Sequence, residues 1–287
     1  MLVFWMIARV ASLTGERIMF HAVGDGLDPW VTASSTYGGA ALLLWLAAWM
    51  TGQAVWVPGA WLPSVAYAGS FWLYIAALSR GPVSQVSPVA NVSLLVAFFV
   101  RPSWSVMSVS ALVLFAVGLW WLVPKTGRLS PAVWWMLLSD GGLVWGRLLD
   151  SRLAAGGPAL AYAATLYSGV TLVFLAGTLI RRQGFSLGRV WRQRGASLAG
   201  ASFFNGFSYL TVVMLLGYLP PSGVEAVSAI AGITGTWMGA LWFHEEHVGR
   251  RVLAAVFMTA GAFLLILHHV QNVPTAYLPL DRRAFFR

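Results

Sequence analysis

Apolar runs of about twenty residues recur along the whole chain, broken by short segments rich in Gly and Pro. An α-helix rises about 1.5 Å per residue, so roughly 20 residues cross a hydrocarbon core of about 30 Å. The pattern predicts ten helical spans, at 2–23, 30–50, 61–79, 83–100, 104–123, 131–149, 158–180, 197–217, 222–243 and 249–269. Gly and Pro punctuate the chain at 24–29, 52–58, 81–82, 102, 124–131, 156–158 and 220–223, where one helix stops and the next begins. Trp56 and Trp61, Trp120 and Trp121, and Trp134 and Trp135 stand near these ends, as in an interfacial aromatic belt.

The first half of the pattern returns in the second. At an offset of 130, Leu13, Arg17, Gly26, Ala33, Tyr37, Gly39 and Leu42 meet Leu143, Arg147, Gly156, Ala163, Tyr167, Gly169 and Leu172. At an offset of 141, Val86, Ser87, Val89, Ala90, Val92 and Ser93 meet Val227, Ser228, Ile230, Ala231, Ile233 and Thr234. The offset grows by 141 − 130 = 11 residues, and the added length falls in the Arg-rich stretch 181–194. Apolar helices match one another by chance, but matched polar and glycine positions are harder to obtain that way. Five spans per copy is an odd number, so the copies must cross a bilayer in opposite directions. The expected fold is therefore all-α and integral to the membrane, with ten transmembrane helices in two inverted five-helix repeats. The first repeat would occupy 1–127, the second 128–270, and a polar C-terminal tail 271–287. Inverted repeats of this kind are a mark of secondary transporters, whose sites lie near the midplane between the halves.

Composition agrees with lipid as the solvent. Of 287 residues, 59% are hydrophobic and 9% charged, against about 25% charged in a soluble domain. Ten spans fill the length and leave no room for a soluble domain. Cys is absent, which excludes disulfides and thiolate chemistry. The net charge of +9 is spread singly or sits in one short stretch; anchoring to anionic headgroups suits it better than nucleic acid. The opening MLVFWMIARV has no charged n-region before its apolar stretch and no small-residue cleavage site. It reads as a retained first span, and the expected location is the cell (inner) membrane, multi-pass. Loops on the N-terminal side carry six basic residues (Arg9, Arg101, Arg152, Arg282, Arg283, Arg287). The opposite loops carry ten (Arg80, Lys125, Arg128, Arg181, Arg182, Arg189, Arg192, Arg194, Arg250, Arg251). The positive-inside rule then places both termini outside.

The stretch from Ala76 to Pro88 and the stretch from Val227 to Gly261 resemble the drug/metabolite transporter superfamily, specifically its ten-span EamA-like members, and the likeness covers nearly the whole chain. The run from Ala76 through Ser79-Arg80-Gly81-Pro82 to Pro88 is similar to the family's junction of third and fourth spans. The run from Val227-Ser228-Ala229 through Trp242-Phe243-His244-Glu245 to Ala254 and Ala260-Gly261 is similar to its ninth span, closing Glu and tenth span. The chain departs from the pattern at Val100-Arg101-Pro102-Ser103, which lacks a Glu, and in an uncharged second-to-third loop. The resemblance implies transport of amino acids, metabolites, drugs, nucleotide sugars or lipid-linked sugars by alternating access, with both termini in the cytoplasm. On that last point it disagrees with the charge count.

Charge inside a span is the strongest chemical signal, since Asp or Arg at the centre of a membrane helix costs roughly 2.5–3.5 kcal/mol on insertion scales. Asp140 falls mid-span and Glu225 in the first turn of span nine. Both are candidate proton-coupling carboxylates, with a structural ion pair between Asp140 and Arg147 as the alternative. Glu16 and Arg17 interrupt span one; Arg17 and its mate Arg147 either bridge an anionic group or snorkel to the headgroups. Asp150 is expected at the interface. Ser84, Ser87 and Asn91 share a helical face, as do their mates Glu225, Ser228 and Gly232, and these suit either cavity walls or interhelical packing. Pro88 inside span four frees a backbone carbonyl. Tyr67, Ser70 and Tyr74, with Asn205 and Tyr209, offer an aromatic and polar wall, whereas Tyr37 and Tyr167 are assigned to packing. His244-Glu245-Glu246-His247 lacks the two-residue spacing that sets both His on one helix face for zinc.

These residues describe a secondary active transporter of a small organic metabolite, amino acid or drug, with protons as coupling ion, no cofactor or metal, and membrane lipids as surroundings. A flippase for a lipid-linked or anionic substrate is the second reading. A membrane-embedded enzyme or non-transporting subunit is the reading from a different class; no catalytic constellation favours the enzyme.

Overall fold

The computed structural model describes residues 1–100, 104–122, 129–153, 158–219, 221–245 and 248–272, and a helix occupies every expected span. In chain order these are α1 (Leu2–Gly24), α2 (Pro29–Met50), α3 (Trp61–Arg80), α4 (Val83–Val89), α5 (Ser93–Val100), α6 (Val106–Leu122), α7 (Pro131–Leu153), α8 (Ala159–Ile180), α9 (Gly184–Leu216), α10 (Pro221–Trp242) and α11 (Val248–Asn272). No strand occurs among the described residues. Local chemistry sets several starts. Pro29 and Pro131 stand at first helical positions, where the missing N–H costs nothing. The Asp28 side chain accepts from the Trp30 amide at 2.8 Å and caps α2.

Among the described residues, six helical segments are long and apolar enough to cross a membrane: Pro29–Met50, Pro58–Arg80, Ala159–Ile180, Ser186–Leu216, Gly223–Trp242 and Val248–Leu265. α1 and α7 fall outside that set, and both carry three or more charged residues. The fourth expected span is not one helix. Pro88 ends α4, a 3-10 turn runs over Ala90–Val92, and α5 begins at Ser93. The eighth expected span is longer than its pattern. The Arg-rich stretch expected as a loop is helical from Gly184, because its Arg, Gln, Leu and Trp residues are adequate helix formers. Only Arg194, at φ −128° and ψ 25°, leaves helical geometry. The tail from 273, the segment 101–103, Lys125, Arg128, Glu246 and His247 lie outside the described residues.

The surface is apolar where helices face outward. Leu42, Leu46 and Trp49 on α2, Leu172, Leu179 and Ile180 on α8, and Trp237, Leu241 and Trp242 on α10 are all exposed. The centre, by contrast, holds buried Arg, Asp, Glu, Ser and Thr. Water would reject such a surface, while lipid accepts it and pushes polar groups inward.

Helices before residue 128 pack mainly on helices after it, and they do so reciprocally. α1 runs along α9 while α3 runs along α7; α2 pairs with α8, and α6 with α11. At residue level the exchange is close to point for point. A Cβ on Gly39 would strike Ser202, and one on Gly169 would strike Ser64; the offsets are 169 − 39 = 130 and 202 − 64 = 138. Likewise Gly118 abuts Met258 and the Ala254 carbonyl, while Gly261 abuts Phe115 and the Ala111 carbonyl. Here 261 − 118, 258 − 115 and 254 − 111 all equal 143. Contacts in which i meets j and the mate of j meets the mate of i are what two repeats related by a twofold axis would make.

Gly261 sits 2.9 Å from the Ala111 carbonyl oxygen when given a Cβ, whereas Gly141 in α7 has open space. Gly261→Ala should therefore lower stability by about 1–3 kcal/mol, with Gly141→Ala close to neutral. Thermal unfolding of the two purified variants in detergent compares them directly.

Candidate functional site

Each wall of the central cavity begins as one face of one helix. On α1, Arg9, Leu13, Glu16 and Arg17 follow helical spacing, and on α7 so do Asp140, Leu143 and Arg147. α3 supplies Tyr67, Phe71 and Tyr74; α9 supplies Asn205, Ser208, Tyr209 and Val212. The break between α4 and α5 adds Ala90, Asn91 and Ser93, α10 adds Glu225, Ser228 and Ala229, and α8 adds Tyr167. Together they enclose about 60 Å³, room for a few waters. Residues at matched offsets share the lining: Leu13 and Leu143, Arg17 and Arg147, and at an offset of 138 Tyr67 and Asn205, and Phe71 and Tyr209.

The charges balance in number. Arg9, Arg17 and Arg147 face Glu16, Asp140 and Glu225. Arg147 forms an ion pair with Glu225 across α7 and α10, and Ser93 Oγ donates to Glu225 at 3.2 Å. Arg9 Nε donates to Ser228 Oγ at 2.9 Å, while its Nη1 donates to the Ser208 carbonyl at 2.8 Å and hydroxyl at 2.7 Å. Arg17 Nη1 donates to Ser87 Oγ at 2.7 Å, and its Nε has no partner among the described residues. Asp140 is fully buried, and neither carboxylate oxygen accepts a hydrogen bond from a described residue. The Asn205 amide nitrogen and the Tyr74 hydroxyl are also unpartnered. A buried polar group left unpaired costs about 1–3 kcal/mol, so these groups call for water or another polar partner.

Beside the cavity lies a second carboxylate, Asp150, with no solvent exposure. Tyr67 and Tyr209 donate to its Oδ2 at 2.6 and 2.9 Å, and Tyr162 to its Oδ1 at 2.7 Å. Three neutral hydroxyls from α3, α8 and α9 thus hold the C-terminal end of α7. At the other end of the bundle, Glu245 accepts from the Val83 and Ser84 amides at 2.8 and 3.1 Å and pairs with the Ser84 hydroxyl and with Arg251. This carboxylate from the α10–α11 link caps α4. It borders a vestibule of about 680 Å³ that His21, Asp25 and Arg80 also line.

Several expectations change. Arg17 is 3% exposed and Arg147 is half-buried against Glu225, so both are turned into the bundle and engaged by partners on other helices. Arg147 pairs with Glu225 and not with Asp140. Arg9, counted among the loop charges, is buried in the cavity wall. Asp150, near the end of α7, is buried among tyrosines, and Tyr167 lines the cavity and donates to Asn205 Oδ1 at 2.9 Å. Among the candidate residues, Glu16, Arg17, Tyr67, Tyr74, Asn91, Asp140, Arg147, Asn205, Tyr209, Glu225 and Ser228 do line it. Ser70, Ser84 and Ser87 do not. The Ser70 carbonyl accepts from Ser139 at 2.8 Å in the α3–α7 contact, Ser84 belongs to the Glu245 cap, and Ser87 serves Arg17 and the α10 backbone. Asn91 faces the cavity but already donates to the Ala229 carbonyl and to Thr259, at 3.2 and 3.3 Å. Phe71, Ser93 and Ser208 were missed; the mate relation of Ser208 to Ser70 was the available signal. No three His, Asp or Glu side chains converge as metal ligands among the described residues.

Comparison with known proteins locates the fold and nothing finer. The chain is similar to one of known structure, described only as "Crystal structure of protein", with a TM-score of 0.67 over 95% of this chain and 99% of that one. At 14% identity the likeness concerns the fold alone. No family model and no curated protein matches the sequence.

Removing one member of the Arg147–Glu225 pair strands a buried charge, at about 3–5 kcal/mol. Arg147→Gln should show that loss in thermal unfolding, and adding Glu225→Gln should recover most of it. Strictly additive losses in the double variant would mean that the two side chains do not interact.

Proposed function

We propose that this chain is a secondary active transporter of a small organic metabolite, amino acid or drug, working by alternating access and coupled to protons. In this reading 1–127 and 128–270 are inverted repeats of five spans each, α4 and α5 together making one span. The reciprocal packing of Gly39 and Gly169, and of Gly118 and Gly261, supports the repeat. A twofold axis in the membrane plane then relates two bundles that can rock about their shared face.

One observation carries the functional reading: a carboxylate with no hydrogen-bond partner among the described residues, Asp140, lines a narrow polar cavity between the two halves. Desolvating a carboxylate is strongly unfavourable unless it is neutral or paired. Exchange of a proton, or of a cargo cation, is the direct way for such a group to pass between closed and open states. The cavity of about 60 Å³ is smaller than the roughly 300 Å³ or more of a metabolite site. Loading therefore requires the walls to part, which is the motion alternating access supplies. The vestibule behind Glu245 and the tyrosine cluster on Asp150 lie at opposite ends of the cavity. Each joins residues from both halves, as a gate on each side would.

A second reading, a flippase for a lipid-linked or anionic substrate, draws on the three arginines of the cavity wall. It differs in requiring a lateral opening to lipid and no ion gradient. A membrane-embedded enzyme, the reading from another class, predicts chemical conversion in place of movement.

Flux in proteoliposomes separates these. Wild-type protein should accumulate cargo from a metabolite pool under an imposed proton gradient, while Asp140→Asn, folded by thermal unfolding, should fall to the rate of empty liposomes. Undiminished flux in the Asn variant would remove Asp140 from coupling. Reporter fusions inserted at residue 188 and placed at the C-terminus should report opposite faces of the membrane; the same face for both would break the ten-span arrangement.

A further inference from the structure

α9 is too long for its task. Its 33 residues extend about 50 Å at 1.5 Å each, against a hydrocarbon core of about 30 Å. The non-helical Arg194 divides it, and the part from 195 to 216 alone spans about 33 Å. The part before Arg194 is therefore surplus to crossing. Its position is held firmly: Arg194 Nη1 donates to the Val23 and Asp25 carbonyls, at 2.9 Å each, at the C-terminal end of α1. Leu187, Val190 and Leu198 pack inward on Val23 and Val31.

The outward side is different in kind. Arg182, Arg189 and Arg192 are exposed, and no described acceptor pairs with them. Trp191, 40% exposed, stands between the last two. Arg182 begins this surface in a left-handed turn, at φ 58°, a strained backbone that a bulky residue rarely adopts. Arg181 is already engaged, with Asp28 at 3.5 Å and over the Trp30 ring at 5.8 Å. No acidic residue occurs from 181 to 194, so the segment cannot neutralise itself.

We propose that Arg182, Arg189 and Arg192, with Trp191, form a binding surface for anionic phospholipid headgroups. An amphipathic segment with its apolar side buried and its cationic side outward lies along the membrane surface rather than through it. Trp belongs at that depth, and guanidinium groups take phosphate in two-pronged hydrogen bonds. This surface does not depend on what the cavity carries. It does assign the end of the bundle where α1, α3, α8 and α10 finish to the leaflet richer in anionic lipid, which in a cell is the cytoplasmic one.

Fluorescent phosphatidylglycerol and phosphatidylcholine, titrated onto the full chain in neutral detergent and read by anisotropy, test the proposal. Wild type should prefer phosphatidylglycerol by on the order of 100-fold at low salt, since each arginine contributes about fivefold, and added salt should erode the preference. Arg182→Gln, Arg189→Gln and Arg192→Gln should each remove about fivefold, and the triple variant nearly all of it. Arg152→Gln, an exposed arginine at the opposite end, should leave affinity unchanged. A preference that survives in the triple variant, an equal loss in Arg152→Gln, or tighter binding of a single-stranded oligonucleotide than of the lipid would each overturn the assignment.

Discussion

A charge inside this bundle must be answered by a helix other than its own. Lipid offers no hydrogen bonds, and a helix has already used its backbone groups on itself. Arg147 on α7 meets Glu225 on α10, Arg9 on α1 meets Ser208 on α9 and Ser228 on α10, and Arg17 meets Ser87 on α4. Asp150 is met by hydroxyls from three helices. These contacts fix which helices are neighbours more strictly than apolar packing could, because one leucine replaces another while an unmet guanidinium does not. Asp140 breaks the rule. Neither of its oxygens accepts a side-chain hydrogen bond from a described residue, although Arg17 and Arg147 line the same cavity.

Close approach is the complementary constraint. Without a hydrophobic drive between helices in lipid, association rests on contact area, and small residues let backbones come near. Gly118 and Gly261 serve α6 and α11 in mirrored positions, as Gly39 and Gly169 serve α2 against α9 and α8 against α3. These reciprocal contacts lie outside the polar cavity and frame it. Polar contacts tie the same helices further: Arg9 donates to the Ser208 carbonyl between α1 and α9, and Ser139 to the Ser70 carbonyl between α7 and α3.

The sequence reading located the helices well, because turn residues and apolar runs are local signals. It erred where tertiary contact overrode pattern. Pro88 looked like an interruption within one span and instead produced a 3-10 turn that turns Asn91 and Ser93 toward the cavity. The stretch 184–193 looked like a loop because it is basic, yet basic residues form helix readily when one side is buried on α1 and α2. Arg9 was counted as a loop charge from its nearness to the chain start. Ser208 and Ser228 hold it inside, and neither is adjacent to it in sequence.

What the sequence by itself determined is where helices lie along the chain, and their order. It also supplied most of the polar residues that line the cavity. Those follow from composition and periodicity, which act over a few turns. Only the tertiary structure decided which charge answers which, that Asp150 belongs to three tyrosines, that Ser84 is part of a cap, and that Asp140 has no hydrogen-bond partner among the described residues. Pairing energies inside a low-dielectric bundle depend on distances of a few ångströms between groups up to two hundred residues apart, and no local pattern encodes such distances.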